Sequence, residues 1–133
     1  MKIEDIVGEV QRHTAEWVCL TGGEPLGQNL LPLCESLTKF GYRLHIETNG
    51  TLSPPQGLYD LIEHWTVSPK RRNIDEGLTR ITELKYVVGR MFHEELVEER
   101  ADYIYLQPES SEPRYIQKTL EILTRHPKWR LSC

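Results

Sequence analysis

The sequence predicts an α/β fold in which strands and helices alternate to build a parallel sheet. Short apolar runs alternate along the chain with stretches whose apolar residues recur at helical spacing. Polar residues also collect directly after the apolar runs, and in parallel α/β folds those strand ends share one rim. Mostly apolar strands are typical of a sheet covered on both faces. The pattern leaves open whether the sheet is doubly wound or part of a barrel.

Composition limits the class of protein. The chain has 133 residues, enough for one domain with its own core. A net charge of −4 argues against a nucleic-acid partner, which would need a basic stripe. No apolar run approaches the roughly 20 residues of a membrane span, and residues 1–5 do not form a signal peptide. We therefore expect residues 1–133 to form a single soluble domain in the cytoplasm.

The elements of the N-terminal half follow from apolar spacing. Residues 3–10 carry apolar side chains at helical spacing and predict a helix that ends near Thr14. Residues 17–20 predict the first strand, and an apolar stripe over residues 30–40 predicts a helix that Gly41 closes. Three further elements follow: strand 43–46, stopped by the polar run 47–50, short helix 58–63 and strand 65–67.

The C-terminal half continues the alternation. Residues 84–88 predict a fourth strand, residues 92–99 a short helix, and residues 103–106 a fifth strand. Ser110 or Ser111 can N-cap the following helix, whose apolar face carries Ile116, Leu120 and Leu123. Residues 129–132 predict a last strand, and residues 71–82 a polar loop.

The candidate chemistry lies at the carboxyl ends of the predicted strands. The polar runs that follow them are residues 21–24, 47–49, 68–70 and 107–110. Gly22 and Gly23 let the chain turn sharply and let a ligand approach, and Glu24 adds a charge that suits an amine. Lys70, Arg71 and Arg72 could hold a carboxylate or phosphate, although a solvated loop face is the more frequent explanation for such a run.

Familiar catalytic and metal-binding motifs are missing from the sequence. It contains no nucleophile elbow, phosphate-binding loop, dinucleotide fingerprint or H-E-x-x-H motif. Its three cysteines, Cys19, Cys34 and Cys133, have no C-x-x-C spacing. We interpret Cys19 and Cys34 as small core residues, and the strand residue His45 as a packed, hydrogen-bonded histidine rather than a ligand.

Five blocks in this order and spacing resemble the 7-carboxy-7-deazaguanine synthase family of the radical S-adenosylmethionine superfamily. The blocks are LTGGEPL at residues 20–26, IETNGT at 46–51, VSPK at 67–70, ELKYVV at 83–88 and YLQP at 105–108. The ending PKWRLS at residues 127–132 is similar to that family's closing strand. The resemblance implies an incomplete (β/α) barrel of the radical S-adenosylmethionine type.

The resemblance also implies a site. Ten residues would bind S-adenosylmethionine: Gly22, Gly23, Glu24, Ser68, Pro69, Lys70, Gln107, Pro108, Glu109 and Ser110. Thr21, Glu47 and Asn49 would face the pterin substrate. The family converts 6-carboxy-5,6,7,8-tetrahydropterin to 7-carboxy-7-deazaguanine, a lyase step towards queuosine that uses a [4Fe–4S] cluster and is assisted by Mg²⁺.

The sequence departs from the family ahead of the glycine turn. The family binds its cluster through three closely spaced cysteines there, whereas only Cys19 precedes Thr21. Cys19 and Cys34 have a suitable separation, but Leu37 stands where a close partner cysteine would be needed. We therefore expect a truncated form without cluster ligands, inactive alone.

Three interpretations follow from that departure. The chain is part of a synthase, a module that binds S-adenosylmethionine or pterin without a cluster, or a non-catalytic remnant that acts as an interaction partner. In each case we expect an uncovered sheet edge and apolar surface, and hence a homo-oligomer or a partner chain that covers them.

Overall fold

The fold is a six-stranded, entirely parallel sheet whose strands lie side by side in chain order. The computed structural model describes residues 1–70 and 73–133. The strands are β1 (Trp17–Leu20), β2 (Arg43–Thr48), β3 (His64–Val67), β4 (Glu83–Val88), β5 (Tyr103–Pro108) and β6 (Arg130–Leu131). A doubly wound sheet reverses its strand order at a switch point, and this sheet has no such reversal among the described residues. The order is that of an incomplete β/α barrel with β1 and β6 at its edges.

In the described ranges, four α-helices accompany the strands: α1 (Ile3–Val10), α2 (Leu31–Lys39), α3 (Leu58–Leu61) and α4 (Pro113–Arg125). Gly41 follows α2 with φ +88°, as predicted for a C-terminal glycine. None of the helices in residues 1–70 and 73–133 is long and apolar enough to cross a lipid bilayer.

The helices cover one face of the sheet and leave the other open. In β2, Leu44 and Ile46 are fully buried, whereas the alternating residues Arg43, His45 and Glu47 are exposed or half-buried. The buried set extends through β3 to β5 with Trp65, Val67, Leu84, Val88, Ile104 and Leu106. The expectation that both faces would be covered was wrong. Right-handed crossovers between strands in sequential order place every connecting helix on the same side.

Several element boundaries differ from the sequence prediction, and two of them show how contacts with other elements override the local pattern. The helix predicted over residues 92–99 is a single turn, Glu94–Leu96. The Tyr86 hydroxyl accepts the Glu98 amide hydrogen at 3.1 Å, which a continuing helix would need for itself. Strand β2 runs two residues further than predicted, because Glu47 and Thr48 pair in register with Thr66 and Val67.

The predicted serine cap of the last helix was also wrong. Helix α4 begins at Pro113, and Glu112 at its N-cap makes no side-chain capping bond. Proline suits the first helical position and restricts the preceding residue to extended backbone. Ser110 and Ser111 instead lie in the turn Glu109–Ser111, both with φ +52° in the left-handed region.

Candidate functional site

The first part of the site joins the carboxyl ends of β1 and β2. Thr21 follows β1 directly, and its hydroxyl donates a hydrogen bond of 3.2 Å to Glu47 Oε2. Glu47 projects from the open face of β2, so Thr21 and Glu47 meet where the rim and the open face join. Of the three residues predicted to face a pterin, Thr21 and Glu47 are thus in direct contact.

Glu24 is fixed by three hydrogen bonds, two of which come from the end of β2. Its Oε1 accepts from the Thr48 hydroxyl at 2.5 Å and from the Leu26 amide at 3.2 Å. Its Oε2 accepts from the Asn49 amide at 2.8 Å. A carboxylate offers about four acceptor positions, so one remains for a ligand donor. Sequence reasoning missed Thr48, whose buried position on the helix-covered face is not visible in the polar run 47–50.

The glycine turn itself is open. Gly22 and Gly23 have φ of +82° and +25°, and both are exposed. No heavy atom beyond their chain neighbours lies within 4 Å of where a Cβ would stand at either position. The two glycines therefore matter because they adopt the positive φ that this sharp turn requires, and because they leave the approach to Glu24 free of side chains.

Asn49 lies beside Glu24 and is fixed locally. Its Oδ1 accepts from the Thr51 amide at 3.0 Å and from the Thr51 hydroxyl at 2.6 Å. That oxygen is thus used, and the two side-chain amide hydrogens of Asn49 are donors in an otherwise acceptor-rich rim. Gly50 follows with φ +79° and closes the turn.

The second part of the site lies beyond the carboxyl ends of β3, β4 and β5. A cavity of about 510 Å³ opens there, lined by Pro69 and Lys70 after β3 and by Glu109 after β5. Its other walls come from Tyr86 in β4 and from the segment after β4, including Phe92 and His93. This volume falls in the range of about 300–1,000 Å³ that is usual for small-molecule pockets.

The remaining predicted cofactor residues lie near this cavity along the sheet rather than in its wall. Ser68 continues β3, and its amide donates to the Thr48 carbonyl at 2.9 Å. Gln107 and Pro108 pair in register with Val87 and Val88. Ser110 is exposed in the following turn. The described contacts do not join the cavity to Gly22, Gly23 and Glu24, and Arg71 and Arg72 lie outside the described residues.

The open face of the sheet carries a hydrogen-bonded row of polar side chains that sequence reasoning did not foresee. His45 Nε2 lies 2.8 Å from the Thr66 hydroxyl, which donates to Glu83 Oε2 at 3.2 Å. His64 Nε2 lies 3.5 Å from Glu83 Oε1, and its ring stands edge-on to that of His45. Partial burial lowers the pKa of His45, and neighbouring His64 lowers that pKa further. The direction of this shift favours the neutral form of the His45 ring.

The cysteines divide between the core and the open face. Cys34 is fully buried in α2, as predicted, and burial raises the pKa of its thiol to about 11. The prediction of a core position was wrong for Cys19, which is exposed on the open face of the edge strand β1. Partial burial raises the pKa of the Cys19 thiol, and the Glu47 carboxylate raises it further.

The thiols in the described ranges do not fit a [4Fe–4S] cluster. Such clusters are held by several cysteine thiolates that converge on one point. Here Cys34 is enclosed by the core, while Cys19 lies on β1 and Cys133 follows β6 at the opposite edge of the sheet. These three thiols therefore cannot converge on one cluster.

Comparison with known proteins gives a consistent set of relatives. The chain is 33% identical over 135 residues to the 7-carboxy-7-deazaguanine synthase of Bacteroides thetaiotaomicron, covering 99% of this chain and 69% of the relative. It is 32% identical over 136 residues to the synthase of Aquifex aeolicus, covering 92% and 62%. It is 33% identical over 146 residues to that of Escherichia coli K12, covering 97% and 63%. A scan against protein-family models found no match.

A solved structure agrees with the sequence comparison. The crystal structure of QueE from Escherichia coli superposes with a TM-score of 0.76 at 32% identity, covering 98% of this chain and 63% of that protein. The chain thus spans between 62% and 69% of the length of these relatives.

Proposed function

The chain belongs to the 7-carboxy-7-deazaguanine synthase family, and we propose that it forms the part of such an enzyme that holds S-adenosylmethionine and a pterin substrate. The arrangement of side chains at the carboxyl ends of the strands supports this proposal. Glu24, Thr48 and Asn49 are locked together at one end of it, and a cavity of about 510 Å³ with Lys70 and Glu109 in its wall lies at the other.

The charged side chains at this rim suit S-adenosylmethionine. In the family reaction, S-adenosylmethionine supplies the 5′-deoxyadenosyl radical that begins a ring contraction. Glu24 presents one free acceptor position at an open glycine turn, which suits the methionine amine. Lys70 adds a cation to the cavity wall, and the apolar side chains of that wall suit the adenosine. The proposal extends to the other predicted residues: Gly22, Gly23, Ser68, Pro69, Gln107, Pro108, Glu109 and Ser110.

We assign the binding of the pterin substrate to Thr21, Glu47 and Asn49. The Thr21 hydroxyl orients the Glu47 carboxylate, so that carboxylate faces the open side of the sheet in a defined position. A reduced pterin carries ring N–H groups that carboxylates accept, and the amide hydrogens of Asn49 can donate to its carbonyl or carboxylate. Thr21 and Glu47 are also oxygen donors of the kind that Mg²⁺ takes, so they fit that ion as well.

A second function, binding without catalysis, is favoured by one observation. Within the part of the chain that the structure describes, the cysteines are too dispersed to hold a cluster. A chain with this rim and no cluster would bind the cofactor or the pterin and leave them unchanged.

We also propose that residues 1–133 act as one domain and that a second copy or a partner chain covers edge strand β1, where Trp17 is 41% exposed. Light scattering that finds only a monomer would contradict that covering.

Equilibrium binding of 6-carboxy-5,6,7,8-tetrahydropterin in the presence of Mg²⁺ tests the substrate half. We expect the wild-type chain to bind it, and Thr21→Val or Glu47→Gln to weaken binding about tenfold, which corresponds to about 1.4 kcal/mol. Thr124→Val is the matched control, because Thr124 lies exposed on α4 far along the chain from the rim. Equal affinity in all four proteins, or no binding by any, would contradict the proposal.

A further inference from the structure

Three side chains of metal-ligand type converge on the open face of the sheet. Cys19 in β1 pairs in register with His45 in β2, and Glu47 follows His45 by two residues and so shares its face. The Cys19 sulfur, one His45 ring nitrogen and one Glu47 carboxylate oxygen all lie within 4.8 Å of one another. Neither the cofactor role nor the pterin role proposed for the rim requires this convergence of thiol, imidazole and carboxylate.

The spacing is close to what a tetrahedral metal ion requires. Zinc bonds of about 2.3 Å to sulfur and about 2.0–2.2 Å to nitrogen and oxygen place neighbouring ligand atoms roughly 3.3–3.6 Å apart. Because the three ligand atoms lie within 4.8 Å of one another, they need to close by at most about 1.5 Å. Cys19 is exposed and His45 and Glu47 are half-buried, so side-chain rotation alone can supply that movement. The fourth position faces solvent, as in zinc sites that keep a bound water.

A second set of contacts orients the nitrogen ligand. The Thr66 hydroxyl has one hydrogen, and it donates that hydrogen to Glu83 Oε2, which as a carboxylate can only accept. His45 Nε2 must then be the donor in its 2.8 Å contact with Thr66. The His45 ring therefore keeps the lone pair of Nδ1 free. Metal-bound histidines are held in this way, with the other ring nitrogen donating to a neighbour.

The carboxylate ligand is oriented as well. Thr21 donates to Glu47 Oε2 at 3.2 Å, which leaves Glu47 Oε1 uncommitted in that contact. Each of the two polar ligands thus has a hydrogen-bonded neighbour that holds it, and Thr66 is itself only 2% exposed. A fixed outer shell of this kind distinguishes the cluster from exposed side chains that happen to be close.

We propose that Cys19, His45 and Glu47 bind a divalent transition-metal ion of the zinc class, with water at the fourth position. Thiolate and imidazole ligands select Zn²⁺ or Co²⁺ over Mg²⁺, which takes oxygen ligands. On binding, the Cys19 thiol releases its proton to solvent and the sulfur bonds the metal. The site lies on the sheet face beneath Thr21, so it goes beyond the proposed function while sharing Glu47 with it.

Cobalt titration of the full chain tests the site directly, because a cobalt–thiolate bond gives a charge-transfer absorption that a carboxylate or imidazole does not. We expect one Co²⁺ per chain, with that absorption present, displaced by Zn²⁺ and unaffected by excess Mg²⁺. Thr66→Val should weaken binding about 10- to 100-fold, the cost of losing an outer-shell partner. Cys19→Ala should abolish the absorption and weaken binding by more than that.

Cys133→Ala is the matched control, because Cys133 is also an exposed thiol and lies at the opposite edge of the sheet. It should bind Co²⁺ as the wild type does. Circular dichroism establishes that each variant is folded. The proposal is overturned if the wild type shows no cobalt–thiolate absorption, if Cys133→Ala removes it, or if Cys19→Ala keeps it.

Discussion

The Thr48 hydroxyl donates a 2.5 Å hydrogen bond to Glu24 Oε1 and thereby ties the turn after β1 to the end of β2. Thr48 is only 3% exposed, and its oxygen also accepts the Gly50 amide at 3.3 Å. One buried hydroxyl thus positions the carboxylate that the proposed function assigns to the cofactor amine. The geometry of the rim depends on this pair more than on the exposed glycines beside it.

Replacing Thr48 with valine should destabilise the protein by about 1–3 kcal/mol. The change keeps the shape of the side chain but leaves Glu24 Oε1 and the Gly50 amide each without one partner. Urea unfolding measures the loss. Thr48→Ser keeps the hydroxyl and should recover most of it, while the exposed Thr124→Val should change stability by no more than about 0.5 kcal/mol. A Thr48→Val protein as stable as the wild type would refute this role.

Gly50→Ala should cost more than about 2 kcal/mol in the free energy of unfolding. Gly50 has φ +79°, and an added Cβ would lie 2.8 Å from Val67 Cγ1 and 3.4 Å from Ile74 Cγ2 in the core. Gly8→Ala provides the contrast, because Gly8 lies within α1 with no heavy atom within 4 Å of its Cβ position. It should stabilise by roughly 0.5–1 kcal/mol. The same sign for both substitutions in thermal unfolding would contradict the account.

Glu94 should make stability fall at acid pH. The guanidinium of Arg125, bonded to Glu94 at 2.6 Å, and the ring of His126 lower the pKa of Glu94 from 4.5 to about 2. A lowered carboxyl pKa stabilises the fold fully above pH 4.5 and loses that contribution as pH falls towards 2. The urea midpoint should therefore drop across this interval.

Glu94→Gln isolates that contribution. The variant should have a lower urea midpoint at pH 6 and a smaller fall between pH 4.5 and 2, because its side chain no longer ionises. Glu99→Gln changes an exposed carboxylate on the same segment and should keep the full wild-type fall. If the urea midpoints of Glu94→Gln and wild type fall by the same amount between pH 4.5 and 2, the ion pair does not stabilise the fold in this way.

The sequence allowed the sheet, its strand order along the chain and the rim to be predicted, because each depends on local patterns. Apolar runs located all six strands, and polar runs after them located Thr21, Glu24 and Glu47. Membership of the synthase family is confirmed by the relatives. The individual roles of the rim residues stay predictions.

What the sequence could not reveal depends on contacts between elements distant in the chain. The exposure of Cys19 follows from its place on an edge strand with an open face, which alternation within four residues does not show. The row from His45 through Thr66 to Glu83 spans β2, β3 and β4, so only their register brings it together. The loss of the helix over residues 92–99 required the Tyr86 hydroxyl, which lies twelve residues before the amide it binds.

Calorimetric titration of the folded chain with S-adenosylmethionine tests the central claim most directly. We expect saturable heat for one site per chain, and weaker binding in Lys70→Ala, which removes a cation from the cavity wall. Lys128→Ala, an exposed lysine outside the rim, should bind as the wild type does. Absence of heat at about millimolar ligand, a level at which even binding worth about 4 kcal/mol would register, would contradict the claim that this rim holds the cofactor.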